Sequence, residues 1–383
     1  MREREHGNGG GQIANLNLCN LKGEKTMALI QGTELNNSLV GTPANDTIVS
    51  FGGDDTIDAT QGGNDLILAE SGNDTVTGGS GNDTVTGGDD NDLIEGNGGD
   101  DQLTGGRGSD TIRGGSGNDD IFGGSGNDTL RGGRGNDSVS GFDGDDFLSG
   151  GGGDDSLNGG NDNDRVVGLS GNDFLEGGAG NDTLDGGTGN DSLFGDRQFS
   201  SSGNNVPLND YLVGGTGNDF LAGGNSIDSF LNQGLDTLIG GAIGVNSGAG
   251  EIDTLQGSIS SQDTFVLGLA PDPANGLSQD EILYDNQGTQ DYAFITDFGT
   301  ARASSGPDRI QLVGELDDYV FGASPFTNPT NDFDGDVSQL AISLDSNGNG
   351  NFDSTDELIA IVDGISPIGQ DVLSNPSSLF TFV

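Results

Sequence analysis

The sequence predicts an all-β chain: a parallel solenoid of stacked nonapeptide coils, followed by a small C-terminal β domain. Three observations predict it. Aspartate recurs every nine residues over a long stretch, an aliphatic residue follows each one two places later, and the segments between them are rich in glycine, which makes up 74 of the 383 residues. Periodicity of this length is the signature of repeat architectures.

The recurring aspartates are Asp46, Asp55, then after one inserted residue Asp65, Asp74, Asp83, Asp92, Asp101, Asp110, Asp119, Asp128, Asp137, Asp146, Asp155, Asp164, Asp173, Asp182 and Asp191. With this Asp at position 6 of nine, position 8 is aliphatic in all 17 units, from Ile48 to Leu193. Position 4 is Gly in 14 of the 17; the exceptions are Ala44, Asp90 and Asp162. Asp is among the few residues that tolerate a left-handed backbone. Position 5 is Asn or Asp except at Ser109. Gly78-Gly79-Ser80-Gly81-Asn82-Asp83-Thr84-Val85-Thr86 is a clean example.

Each unit reads as turn, then strand. Gly and Asn in the first six positions are turn formers. The last three positions, such as Thr84-Val85-Thr86, suit a short strand with one side chain inward. Two units close one flattened coil, and coils stack at the sheet spacing of ~4.8 Å. Seventeen units then predict a column of roughly 40 Å with the position-8 aliphatics inside.

That interior is thin. One aliphatic per nine residues contributes about 2 kcal/mol of burial. Ordering nine residues costs on the order of 10 kcal/mol or more. Stacking also brings position-6 carboxylates of unit i and unit i+2 together, which like charge opposes. A hard divalent cation resolves both problems. Ca²⁺ takes 6–8 oxygens at 2.3–2.6 Å with tolerant geometry, whereas Mg²⁺ demands a near-ideal octahedron. Carboxylates and glycine-exposed carbonyls supply such ligands. The 15 in-phase units from Asp65 onward allow thirteen pairings of i with i+2.

Composition excludes several classes. Acidic residues outnumber basic ones 62 to 12, for a net charge of −50, so a phosphate backbone or an anionic membrane repels the chain. No apolar run is long enough to span a bilayer. One cysteine, Cys19, forms no intrachain disulfide, and one histidine, His6, provides no multi-histidine site. A disordered polyanion has no need of 17 aliphatics in phase.

The motif Gly-Gly-x-Gly-x-Asp-x-U-x, with U aliphatic, resembles the repeat of the RTX (repeats-in-toxin, haemolysin-type) calcium-binding proteins. The resemblance is close over 41–194, and Gly32–Val40 adds a degenerate capping unit with Asn37 in place of Asp and Leu39 at position 8. The resemblance implies a parallel β-roll (a right-handed β-helix-like solenoid), multiple bound Ca²⁺ and secretion in the manner of such bacterial proteins. It also implies passage through a type I export apparatus, an uncleaved C-terminal export signal and folding on meeting extracellular calcium.

The remaining segments fall in order. Residues 1–31 read as an unordered N-terminal extension without a secretory h-region, with Met27 as a candidate start. The regular array spans 32–194. Residues 195–263 read as irregular coils, with a loop inserted at 195–208 and repeat aspartates resuming at Asp210 and Asp219. Residues 264–383 read as the C-terminal β domain, with strands at Thr264–Leu267, Tyr292–Ile295, Arg309–Val313, Gln339–Leu344 and Leu358–Val362. Within it, Asp345, Asn347, Asn349, Asn351, Asp353 and Asp356 occupy positions 1, 3, 5, 7, 9 and 12 of an EF-like calcium loop, with Gly350 at 6. Asp stands at position 12 where an EF-hand carries Glu, and a strand precedes the loop instead of a helix. The apolar terminus Leu379–Val383 belongs, by resemblance, to the export signal.

The functional expectation is a secreted calcium-binding protein with a structural, cell-surface or adhesion role, making cell-surface or polysaccharide contacts. The alternatives are a calcium-dependent extracellular enzyme and an ice-binding or adhesin module. HExxH, GxSxG and the Walker lysine motif are all missing from the sequence. Position 3 runs Ser80, Asp89, Gly98, Arg107, Ser116, which is too irregular for an ice-matching array.

Overall fold

The computed structural model describes residues 27–196, 209–216 and 219–224, together with strands Asn15–Leu18, Thr237–Gly241, Ile252–Gln256, Thr264–Leu267, Tyr292–Thr296, Arg309–Leu312, Tyr319–Ala323, Leu340–Leu344, Glu357–Val362 and Phe380–Phe382. All regular elements among the described residues are strands. The chain divides into two compact units, 1–151 and 152–383.

In the first unit, consecutive strands alternate between two parallel sheets. Ala28–Thr33, Thr47–Phe51, Leu66–Ser71, Thr84–Asp89, Gln102–Arg107, Asp120–Ser125 and Ser138–Asp143 pair in that order in one sheet. Ser38–Val40, Thr56–Asp58, Thr75–Ser80, Leu93–Gly98, Thr111–Ser116 and Thr129–Arg134 form the other. Each regular strand pairs with the strand two units on, as in Leu103↔Ile121. This is the predicted coil of two nonapeptides.

Most strands run six residues where the repeat pattern predicts three. They continue through positions 1 to 3 of the next unit, so Gly88 pairs with Gly106 and Asp89 with Arg107. The position-8 aliphatics lie inside, with Ile94, Leu103, Ile112 and Leu130 fully buried. They leave one large core side chain per nonapeptide.

The inserted residue before Asp65 keeps the first sheet in register, since Thr47 still meets Leu66 and Ile48 meets Ile67, but it cuts the strand before it to Thr56–Asp58, which pairs with Thr75–Ser80 over three residues only. An additional half-coil precedes the capping unit. In Ala28–Thr33, Ala28 holds the position of the repeat Asp and Ile30 the position of the core aliphatic. Strand Asn15–Leu18 lies within the N-terminal extension, which the sequence predicts to be unordered. It pairs antiparallel with Ala28–Gln31 and covers the outer edge of that sheet.

The second unit continues the same pattern within itself. Ser156–Asn161, Phe174–Ala179, Ser192–Asp196 and Phe220–Gly224 pair in parallel, as do Arg165–Ser170, Thr183–Thr188 and Tyr211–Thr216. The inserted loop leaves the register intact, because Leu193 meets Leu221 and Leu184 meets Leu212.

The strands expected after residue 264 are present, with small shifts at their ends. Thr264–Leu267 and Arg309–Leu312 extend one parallel ladder, which Phe380–Phe382 joins; Tyr292–Thr296 and Glu357–Val362 extend the other. A backbone ladder needs only extended neighbours, so it persists where the Gly/Asp code fades. Tyr319–Ala323, Leu340–Leu344 and Glu357–Val362 form an antiparallel meander with a bulge at Ile342/Ser343. Asp345 to Asp356 lie outside the described residues, as do His6 and Cys19.

Candidate metal centre

The repeat aspartates form two stacked rows in each unit. Each is nearly fully buried; Asp83, Asp92 and Asp101 are 2–3% exposed. Their two carboxylate oxygens have different fates. Oδ1 accepts a hydrogen bond from the backbone N–H of the repeat Asp one coil earlier. Asp65 N–H donates to Asp83 at 2.8 Å, Asp83 to Asp101 at 2.8 Å, and Asp101 to Asp119 at 2.9 Å. The other row runs from Asp55 through Asp74, Asp92 and Asp110 to Asp128 and Asp146 in the same way. In the second unit Asp155 donates to Asp173, Asp173 to Asp191, and Asp164 to Asp182. Asp182 and Asp191 reach Asp210 and Asp219 across the inserted loop.

Oδ2 is buried and finds no donor in Asp55, Asp65, Asp74, Asp83, Asp92, Asp101, Asp110, Asp119, Asp128, Asp173, Asp182 and Asp191. The Oδ2 atoms of Asp137, Asp146, Asp155, Asp164, Asp210 and Asp219 are likewise buried. A buried carboxylate oxygen without a donor costs several kcal/mol if it stays ionised. One such atom is an exception; a repeating row of them is a design.

Position 1 shows what faces these oxygens. A Cβ built on Gly78 would stand 2.5 Å from Asp83 Oδ2 and 3.1 Å from the Gly96 carbonyl oxygen. The equivalent pair recurs at Gly87, Gly96, Gly105, Gly114 and Gly123. From Gly78 onward a carboxylate oxygen and a carbonyl oxygen from the next coil therefore converge on a space that any side chain would fill; in the units of Asp55 and Asp74 the buried side chains of Ser50 and Ala69 stand at that position instead. Two acceptors facing one another without a hydrogen call for a cation. Among the described residues no three acidic, His or Cys side chains meet at one point. Backbone carbonyls must complete each centre, and all donors are hard oxygens of the kind calcium takes.

The electrostatics agree. Burial pushes Asp74, Asp92, Asp101, Asp128, Asp182 and Asp191 up to about 7. It raises Asp65, Asp119 and Asp173 to about 6. Asp55, Asp83, Asp110 and Asp137 move in the same direction for the same reason. The N–H from the preceding coil opposes the rise, and neighbouring carboxylates add to it, as Asp110 and Asp74 do for Asp92. Position 5 offers a contrast. Asp54 is exposed, accepts from the backbone and side-chain nitrogens of Asn73 at 3.0 and 3.3 Å, and is held below the usual carboxylate range by those bonds. The protein satisfies position 5 by itself and leaves position 6 needing charge.

The residues through 31–63, 60–94, 95–130, 122–157, 158–193 and 207–229 match the model of the RTX calcium-binding nonapeptide repeat. Through residues 31–229 the chain belongs to the RTX calcium-binding repeat family. No curated protein matches the chain. Among solved structures it is similar to a hyperactive, Ca²⁺-dependent, beta-helical antifreeze protein from an Antarctic bacterium, with 19% identity over 64% of this chain and 88% of that one and a TM-score of 0.25.

Calcium is accordingly the ion of this RTX array, in a β-roll of two parallel sheets. The structure distinguishes one repeat aspartate from its fellows. Asp46 takes protein donors on both oxygens: Ala28 N–H and Thr42 Oγ1 at 2.9 Å on Oδ1, and Thr42 N–H at 2.5 Å on Oδ2. Asn37 is closed in a similar way, with Thr33 N–H donating to its Oδ1 at 2.6 Å and its Nδ2 donating to Thr33 Oγ1 at 3.1 Å. The first turns of the RTX array thus satisfy their position-6 side chains without an ion. Spacing alone equated Asp46 with the other repeat aspartates. The signal that separates it is Thr42, which stands where a clean unit has its second glycine.

Proposed function

We propose that this RTX chain is a secreted, calcium-dependent binding or structural protein whose solenoid folds when Ca²⁺ arrives. The row of buried Oδ2 atoms without donors carries this reading. In each centre, Oδ2 of a repeat Asp and the position-1 carbonyl of the next coil would hold the ion, with further backbone carbonyl oxygens supplying the other hard donors it needs. Calcium supplies the positive charge that makes buried, ionised carboxylates tolerable and ties coil to coil. The repeat aspartates from Asp55 to Asp219 are the ligands; Asp46 serves as a cap. The Asp345–Asp356 loop adds a separate calcium site of EF-like type.

Low cytosolic calcium keeps the chain unfolded and competent for a type I exporter, and millimolar calcium outside folds it. The role is cell-surface or adhesive rather than catalytic. Each repeat carboxylate is buried and engaged with the backbone on Oδ1, which leaves it no approach to a substrate. Far-UV circular dichroism with and without chelator tests the reading. The β signal is expected to vanish on chelation and return with added calcium; a signal indifferent to chelator overturns it. Deleting roughly the last 50 residues is expected to abolish export while leaving calcium binding by the array.

A further inference from the structure

The outer face of one sheet carries a basic strip. The chain has 12 basic residues against 62 acidic ones, yet Arg107, Arg113, Arg131 and Arg134 fall within 28 consecutive residues. Arg113 and Arg131 are register partners on adjacent strands, and both are exposed. Like charges directly opposite one another are destabilising. Arg113 is held at 2.9 Å by Glu95 of the preceding coil. Arg131 and Arg134 have no side-chain partner among the described residues. The outward positions around them are Thr111, Thr129 and Ser116, with Phe147 and Ser149 one coil further. None of these is acidic, on a chain of net charge −50.

We propose that this strip, Arg113, Arg131 and Arg134 with Thr111, Thr129 and Phe147, binds a carboxylate-bearing polysaccharide. It rests on the reading of the array as a calcium-folded binding protein and names the surface that does the binding. Three features favour this partner. Guanidinium groups form forked, bidentate bonds to carboxylates. Strand spacing of ~4.8 Å sets the two facing arginines at intervals comparable to one sugar residue along a chain. Threonine hydroxyls and a half-buried aromatic ring beside the charges match the hydroxyl and C–H faces of a sugar. The strands carrying it are held by parallel ladders, so the backbone beneath a bound polymer is already ordered.

The test uses the full chain saturated with calcium, its fold verified by circular dichroism, and oligogalacturonate as probe in isothermal titration. Arg113→Ala with Arg131→Ala is expected to weaken binding at least tenfold. Arg113→Lys with Arg131→Lys is expected to fall between this variant and the native chain, because it keeps charge but loses the fork. Arg107→Ala, on the opposite turn edge and paired with Asp89, is expected to bind as the native chain does. The neutral methyl ester is expected not to bind. Retention of full affinity by the double alanine variant overturns the proposal, since binding then runs through calcium at the turns. So does equal affinity for the ester. A calcium-dependent dimer in sedimentation that Arg131→Ala dissolves also overturns it, by assigning the strip to a second copy of the chain. These outcomes leave calcium-driven folding standing, because the circular dichroism control reports on that separately.

Discussion

Replacing Asp101 with Asn separates the cost of burying charge from the benefit of binding metal. Asp101 is 3% exposed. Its Oδ1 accepts from Asp83 N–H at 2.8 Å, its Oδ2 has no donor, and burial pushes it up to about 7 from 3.8. A raised carboxyl favours the protonated folded state, so this residue supports folding at low pH and opposes it as pH rises from about 4 to about 7. At 1.36 kcal/mol for each pH interval between 3.8 and about 7, that rise sets a ceiling of about 4 kcal/mol on the destabilisation at neutral pH without metal. Asn keeps the Oδ1 acceptor, discards the charge, and presents Nδ2 as a donor toward the Gly114 carbonyl, which faces the same space. The variant should therefore be more stable than the native chain in chelator, by up to about 4 kcal/mol. In saturating calcium it should be less stable, having lost an anionic ligand. The assay is urea unfolding followed by far-UV circular dichroism. It is run in calcium and in chelator, with a stabilising osmolyte in the chelator arm so that both chains retain structure. A variant destabilised equally in both arms, or unaffected in calcium, would show that the Asp101 charge is neither costly without the ion nor used to bind it.

Three further outcomes follow from the same geometry. In chelator, β structure should increase as pH falls from 7.5 to 5, because Asp74, Asp92 and Asp128 take up protons near 7; in calcium, the same acidification should release the ion, and circular dichroism with a calcium electrode reads both. Gly105→Ala places a Cβ against Asp110 Oδ2 and the Gly123 carbonyl, so the calcium midpoint for folding should rise about tenfold, a change of about 1.4 kcal/mol, whereas Thr104→Ala, on the outward side, should leave it near the native value. Asp46→Asn should cost about 1–3 kcal/mol through its lost hydrogen bonds and leave the number of bound calcium ions unchanged, as counted by equilibrium dialysis; loss of an ion would show that Asp46 is a ligand after all.

The parts of this molecule that obey a period were legible in the sequence. Spacing located the core at Ile94 and Leu103 and the stacked carboxylates at Asp92 and Asp101, because a coil of two nonapeptides puts residues eighteen apart on top of one another. It also located the left-handed Asp90 and Asp162, at φ 77° and 71°. Spacing does not say which oxygen of a carboxylate is spent on the backbone. The division between Oδ1 and Oδ2 depends on the N–H of the preceding coil and emerges only in three dimensions. The role of position 1 was hidden for a similar reason. Gly105 reads as one more turn glycine until Asp110 Oδ2 and the Gly123 carbonyl are seen to converge beside it. Strand Ala28–Thr33 escaped because Ala28 breaks the code while its backbone still donates to Asp46 at 2.9 Å. Position 2 also held a surprise. Phe142 and Leu169 adopt φ of 81° and 82° there, a conformation costly for large side chains, and both are left about half exposed.

The most direct measurement is anomalous diffraction from crystals grown in calcium. A row of anomalous peaks is expected, one beside the Oδ2 of each repeat aspartate from Asp55 onward, at ~2.3–2.6 Å from that oxygen, and none at Asp46. Ordered repeat aspartates whose Oδ2 atoms face water or a protein donor, with no peak beside them, would contradict that expectation.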